Sequence, residues 1–383
     1  MTTLTPAAID AKPSETDEMS LRFAFPGQIS DLMRDHFRRD AEDARLSWKF
    51  RMYYRFRPWI PIAVRQLLQR GRNRSFDLAN DWFLPTEFSQ ALRASASRDP
   101  DKQVIHPWPD KHQMAICLTH DVETQTGVGL VNRLAELEES LGFRSAWNFV
   151  PHKYKLDHGL ISDLQDRGHE ICVHGYNHDG RLFESRRTFN HRIEHINAAM
   201  QNFNSRGFRA PMVHRNLRWM QALDADYDAS CFDIDPFQAM SGGIGSMWPF
   251  IAGKLVELPY TMPQDHTLLV TLGETTPRIW IQKLAFLRQH SAMALMITHP
   301  DYLDTAAALK VYDEFLKHLG EQENGWSALP HEIASWWRHR DAMQVQTCNS
   351  ASVITGKYAE RAGLATLSSL FPATENQSDA NHS

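Results

Sequence analysis

The sequence predicts an α/β fold of parallel strands with helices outside them, either a barrel or a doubly wound sheet. Two observations carry this. From about residue 112, short apolar runs alternate with amphipathic stretches of helical period, the pattern of consecutive strand–helix units. The residues able to do chemistry lie at the downstream ends of those runs, where parallel α/β folds build their sites.

In chain order, residues 1–20 are polar and acidic and are expected to be disordered. Residues 21–111 are expected to form a helical extension, its pieces broken at Pro58, Pro61 and Pro85. Pro61 suits a helix start, with Ile60, Val64, Leu67 and Leu68 on one face. From Lys49 to Arg74 there are eight basic residues and no acidic one, threaded with aromatics. Segment 48–74 is therefore expected to make a peripheral contact with an anionic membrane.

Seven candidate strands follow: 114–121, 145–151, 170–175, 207–211, 227–232, 255–260 and 294–300. Gly142, Gly168 and Gly320 punctuate helix ends between them, and the longest helical stretch is 182–203. Residues 112–340 make the main domain, and 341–383 form a C-terminal extension ending in a disordered tail.

Composition narrows the classes. Apolar content of 42% supports a proper core, and a net charge of −5 argues against a dedicated nucleic-acid binder. Cys117, Cys172, Cys231 and Cys348 are widely spread without a CxxC pair, which suits buried thiols in a reducing compartment. The N-terminus carries no basic-then-apolar leader pattern, so a cytoplasmic location, peripheral at the inner membrane face, is expected.

The pair His174 and His178 in "HGYNH" is unremarkable alone among nineteen histidines. It gains meaning because "THDVE" ends the first run, "RAP" the fourth and "THP" the seventh. Strand order can thus bring Asp121, Glu123, His174, His178, Arg209 and His299 into one pocket. Two imidazoles and one carboxylate, from Asp121 or Glu123, make an open site for a divalent metal such as zinc. The other carboxylate is then available as a general base, His299 as an acid, and Arg209 as the group that holds the base ionised.

These runs resemble the polysaccharide deacetylase family (carbohydrate esterase family four, the NodB-homology domain). "THDVE", "HGYNH", "RAPM", "YDASCFDIDPF" and "LMITH" stand in the order of its five motifs, over roughly 112–340. "LPYTMPQDHTL" and "LPHEIASWWRHR" resemble stretches of a branch whose first motif is T-H-D-V-D/E. The resemblance implies a distorted (β/α)7 barrel and removal of an acetyl group, most often N-acetyl from an amino sugar of a glycan or of a lipid- or nucleotide-linked precursor. It implies Asp121 as base, Glu123, His174 and His178 as ligands of a metal, zinc first, and Arg209 as tether of the base. It also implies the Met212 backbone N–H as oxyanion donor, His299 as acid, and Asp235, or else Asp233, as the carboxylate orienting His299. The first motif departs by placing Val122 between its acids; positions two apart on a strand face one side, so both can share the pocket. The third has Met212 where the family has Tyr. His120, in place of a Phe, is expected to be packed and not a ligand. Asp265 and His266 are expected either to line the pocket or to form a structural turn. A non-catalytic glycan-binding protein on the same barrel, or a hydrolase of another non-peptide C–N bond, is the alternative.

Overall fold

The computed structural model describes residues 19–41, 43, 44, 52, 56, 59, 82–238, 242–348 and 351–372. Of the ends expected to be disordered, residues 1–18 of 1–20 and the tail from 373 lie outside them, as do the helix expected to start at Pro61 and, but for Met52, Phe56 and Trp59, the segment 48–74 expected to touch a membrane.

The described part of the extension is mixed where helix was expected. Strand β1 (Leu21–Arg22) precedes helix α1 (Gln28–His36), and β2 (Asp43–Ala44), helix α2 (Thr86–Ser97) and β3 (Gln103–Ile105) follow. Short strands form here because partner edges reach them from distant parts of the chain, which local sequence does not reveal.

The main domain opens with β4 (Met114–Val122), buried along its whole length, then α3 (Gln125–Ser140), β5 (Ala146–Phe149), α4 (His158–Asp166) and β6 (Glu170–His174). It continues with α5 (Arg186–Asn202), β7 (Gly207–Arg209), β8 (Arg215–Asn216), β9 (Tyr227–Asp228), β10 (Phe250–Ala252) and β11 (Leu255–Glu257). Then come α6 (Arg278–Gln289), β12 (Met293–Thr298), α7 (Ala306–Gly320), β13 (Gly325–Ser327) and α8 (Pro330–Ala342). Side-chain caps set helix starts: Thr124, Asp157, Ser185 and Thr305 each accept a backbone N–H from the first turn. Ser185 is why α5 begins at Arg186, short of the expected 182.

All seven candidate strands are present, as β4, β5, β6, β7, β9, β11 and β12. They run parallel in the order β11-β9-β7-β6-β5-β4-β12. β13 pairs with the lower part of β4, and β10 and β1 extend the far edge antiparallel. No ladder joins β11 to β12, but the chain leaving β11 bends across the gap. The Thr261 and Met262 N–H groups donate to the Leu295 carbonyl at 3.2 and 3.1 Å, and Leu295 N–H donates to Thr261 Oγ1 at 3.1 Å. The result is a distorted (β/α)7 barrel closed by an irregular segment. Buried Cys117, Leu118, Trp147, Val173, Phe208 and Leu295 lie on its strands.

The C-terminal extension is more ordered than its polarity suggests. β14 (Gln344–Cys348) and β15 (Ala351–Thr355) form an antiparallel ribbon, and β16 (Leu364–Thr366) pairs with β3 of the N-terminal extension. Phe371 packs edge-on against Phe25. No described helix is long and apolar enough to cross a membrane.

Candidate active site and metal centre

The parallel register gathers the strand ends. Asp121 pairs with Asn148 across β4 and β5, and His174 with Arg209 across β6 and β7. Ligand atoms of Glu123, His174 and His178 lie within 4.8 Å of one another. His178 Nε2 stands 2.8 Å from Glu123 Oε1, and His174 Nε2 stands 3.8 Å from the same oxygen. His174 Nδ1 lies 3.1 Å from the Arg209 carbonyl oxygen, which can only accept. Nδ1 therefore carries a hydrogen, and in the neutral imidazole Nε2 presents its lone pair to the cluster. Both Nε2 atoms are buried and face the Glu123 carboxylate in place of any neutral partner. Buried nitrogens turned on one carboxylate need a reason, and two imidazole nitrogens with one carboxylate oxygen fit a divalent cation.

Asp121 is buried beside this cluster. Its Oδ1 accepts from Asn148 Nδ2 at 2.8 Å and from Arg209 Nη1 at 2.9 Å, and its Oδ2 is 3.7 Å from His174 Nε2. Burial would push the carboxyl upward, but the charges of His174, Arg209 and His299 override it and hold it at about 2. Arg209 is itself fixed, donating from Nε to the Ala229 carbonyl and from Nη1 to Thr119 Oγ1. Glu123 is likewise held well below the ordinary range, with His178, His174 and His299 outweighing its burial.

His299 lies across the cluster, Nε2 3.7 Å from Glu123 Oε1. Its Nδ1 is 2.7 Å from Asp265 Oδ1, and its backbone N–H donates to Asp265 Oδ2 at 2.6 Å. Burial opposes the imidazolium, but Asp265, helped by Glu123 and Asp121, raises its pKa to about 10. The expected orienting residues are corrected here. Asp235 accepts from the Phe237 N–H and the Tyr260 hydroxyl, and Asp233 accepts from Lys283 Nζ at 2.6 Å and from Ile234 N–H. Both are spent on anchoring the loop after β9. Asp265 comes instead from the segment after β11 that bends across to β12.

Met212 sits in the loop after β7, in a short turn from Pro211 to Val213. His178 (φ 58°), Met212 (φ 58°) and Val213 (φ 49°) all hold left-handed backbone, each at about 1–3 kcal/mol, a strain that clusters at functional sites. Gly175 is required where the two loops touch: it has φ 66°, and a Cβ there would meet the Pro211 ring at 2.4 Å.

His120 is packed behind the site, as expected. Its ring stacks on Trp147 at 3.9 Å between centroids, Nε2 is 2.7 Å from Glu138 Oε1, and Nδ1 is 2.7 Å from Thr298 Oγ1. Tyr312 and Ser145 hydroxyls also donate to the buried Glu138 carboxylate, each at 2.6 Å. Sequence reasoning missed this polar core, because Glu138 reads as one more polar position on an amphipathic helix. Cys117, Cys172 and Cys231 are buried, and burial pushes their thiols up and out of reactivity.

No known family profile and no curated protein matches the chain. Solved structures do resemble it. A protein from Mycobacterium smegmatis assigned as a polysaccharide deacetylase is 19% identical with a TM-score of 0.47, over 60% of this chain and 92% of that one. The Puue allantoinase is 16% identical with a TM-score of 0.46, over 61% and 93%. A probable polysaccharide deacetylase from Pseudomonas aeruginosa PAO1 is 17% identical with a TM-score of 0.46, over 61% and 94%. Likeness of this degree bears on neither activity nor substrate.

Proposed function

We propose that this chain is a metal-dependent hydrolase of the polysaccharide deacetylase type, removing an acetyl group, N-acetyl from an amino sugar, from a glycan or glycan precursor. One observation carries the reading: Glu123, His174 and His178 converge, with Asp121 and Arg209 on one side and His299 and Asp265 on the other. The ordered motifs of the sequence support the same family.

Glu123, His174 and His178 would hold the metal, zinc by its donor set, which supplies Lewis acidity at the acyl carbonyl and lowers the pKa of a bound water toward about 7. Asp121, kept ionised by Arg209 and Asn148, takes the proton of the attacking water. The Met212 backbone N–H donates to the oxyanion, a contact worth roughly 3 kcal/mol in comparable sites. His299, held protonated by Asp265, gives its proton to the departing nitrogen as the C–N bond breaks, so acetate and a free amine leave. A lipid- or nucleotide-linked precursor is the proposed substrate form, and the cytoplasm the proposed location.

Elemental analysis of the purified chain, with acetate release from N-acetylated amino-sugar oligomers and nucleotide-linked sugars, tests this. One divalent metal per chain and release of acetate are expected. A metal-loaded chain that binds glycan but releases nothing from any of them would overturn it in favour of a glycan-binding protein.

A further inference from the structure

We propose that the cleft between the two chain extensions binds a small organic anion, a carboxylate or phosphate on an apolar body, through the guanidinium of Arg340. The cleft has a volume of about 510 Å³, the size of a small-molecule pocket. Three parts of the chain line it: β1 and α1 with Arg22 and Arg34, β3 with Ile105, and the end of α8 running into β14 with Arg340, Met343 and Val345. None of the residues placed at the metal centre lines it.

Arg340 is only 7% exposed, so its donors need partners. Nε donates to the His106 carbonyl, and Nη2 to the carbonyls of Ala24 and Ile105. One face of the guanidinium lies over Trp337, with Cζ 4.6 Å from the ring centroid. A guanidinium has five N–H groups, and the two on Nη1 make no hydrogen bond to any described residue. Burial pulls the pKa down to about 10 against the pull of Asp341, so the group stays charged at neutral pH. Asp341 is itself bound to Arg22 Nε at 2.7 Å. Arg340 is thus a buried cation without an ion pair among the described residues, a costly state that an anion relieves. Two parallel N–H groups on a charged fork match two oxygens of a carboxylate or phosphate.

The other charges lining the cleft are matched. Arg22 pairs with Asp341, and Arg34 Nη1 with Asp31 Oδ1 at 2.8 Å. Three arginines against two aspartates leave one positive charge in excess, and the pairing leaves it on Arg340. Both pairs are partly exposed, a kind worth little, so either arginine can turn to a further oxygen of the ligand. Ile105, Met343 and Val345 give the apolar wall along which the body of the ligand would lie. Both extensions and α8 supply sides of the cleft, so a bound ligand would tie them together and stabilise the fold by mass action. The site does not depend on the reading of the metal centre.

Titration calorimetry of the full chain with octanoate and with octyl phosphate, and with octanol as the neutral analogue, tests this. One-to-one binding of at least one anion is expected, with octanol weaker by roughly tenfold or more, the worth of a charged hydrogen bond. The tighter of the two anions identifies the headgroup as carboxylate or phosphate. Val345→Glu, a like charge at the exposed lip, should weaken binding by roughly tenfold with the Tm of the free chain unchanged. Asp341→Asn, which frees Arg22 and removes a competing carboxylate, should tighten it. Arg340→Lys keeps the charge, loses the fork and should bind roughly tenfold more weakly or worse. It also drops bonds to three carbonyls, so the Val345 and Asp341 variants decide the matter if it fails to fold. Affinity should persist in His174→Ala, His178→Ala protein, where an anion held by a metal would be lost. Absence of binding by either anion, octanol binding as tightly as they do, or affinity unmoved by Val345→Glu and Asp341→Asn would overturn the site. So would binding that vanishes in the folded double-histidine variant.

Discussion

Asp265 grips His299 twice, once at the ring Nδ1 (2.7 Å) and once at the backbone N–H (2.6 Å). One carboxylate therefore fixes the tautomer, the charge and the position of the candidate acid together.

Asp265→Asn should lower kcat by roughly a hundredfold or more, the ordinary contribution of general acid catalysis, with metal content unchanged. In metal-free protein, His299 should titrate far above free imidazole, near 10, and much lower in the variant. The raised pKa means that the native state holds this proton more tightly than the unfolded chain does. Its stabilisation is full below about 6.5 and is lost as pH rises toward 10. NMR titration of the imidazole and unfolding across that window check both statements; an unshifted His299 in the variant would refute the coupling.

His174→Ala or His178→Ala should remove bound metal and activity together, since a three-donor site keeps little affinity after losing a nitrogen. Full metal occupancy in the double variant, by elemental analysis, would remove the pair from the ligand set.

Asp121→Asn should retain metal and lose turnover, whereas Glu123→Gln should weaken metal binding. The distances support this division: Glu123 Oε1 is 2.8 Å from His178 Nε2, while Asp121 Oδ1 is saturated by Arg209 and Asn148. Metal lost from the first variant and kept by the second would exchange the roles.

Glu138→Leu should cost about 3–5 kcal/mol in urea unfolding, because it strands His120 and the Tyr312 and Ser145 hydroxyls in the core. Adding His120→Phe should recover part of that loss, since an apolar pair of similar size removes one of the stranded groups. Additive losses in the double variant would show that the pair is not coupled.

The barrel was legible because each strand carries an apolar run, and four of the seven runs end on a reactive residue. Asp121, His174, Arg209 and His299 could be placed from that pattern alone. The orienting carboxylate could not. Asp233 and Asp235 close the run expected to be the fifth strand, yet they lie in the loop after β9, where Lys283 and Tyr260 hold them. Asp265 lies in an irregular stretch whose position depends on Leu295, thirty residues later in the chain. The strands of the two extensions were hidden for the same reason: β16 pairs with β3 across most of the sequence.

The barrel has one weak line. Elsewhere its strands are joined by ladders, but between β11 and β12 the closure rests on a few bonds linking Thr261 and Met262 to Met293 and Leu295. A short run of bonds outside a ladder is where a sheet first breathes, and amides there should exchange with solvent sooner than those of β4 and β5. Asp265 follows Met262 by three residues, so each such opening would carry the carboxylate away from His299. Catalytic readiness would then fluctuate with the zipping of this seam, and turnover could fail on warming well before the barrel unfolds.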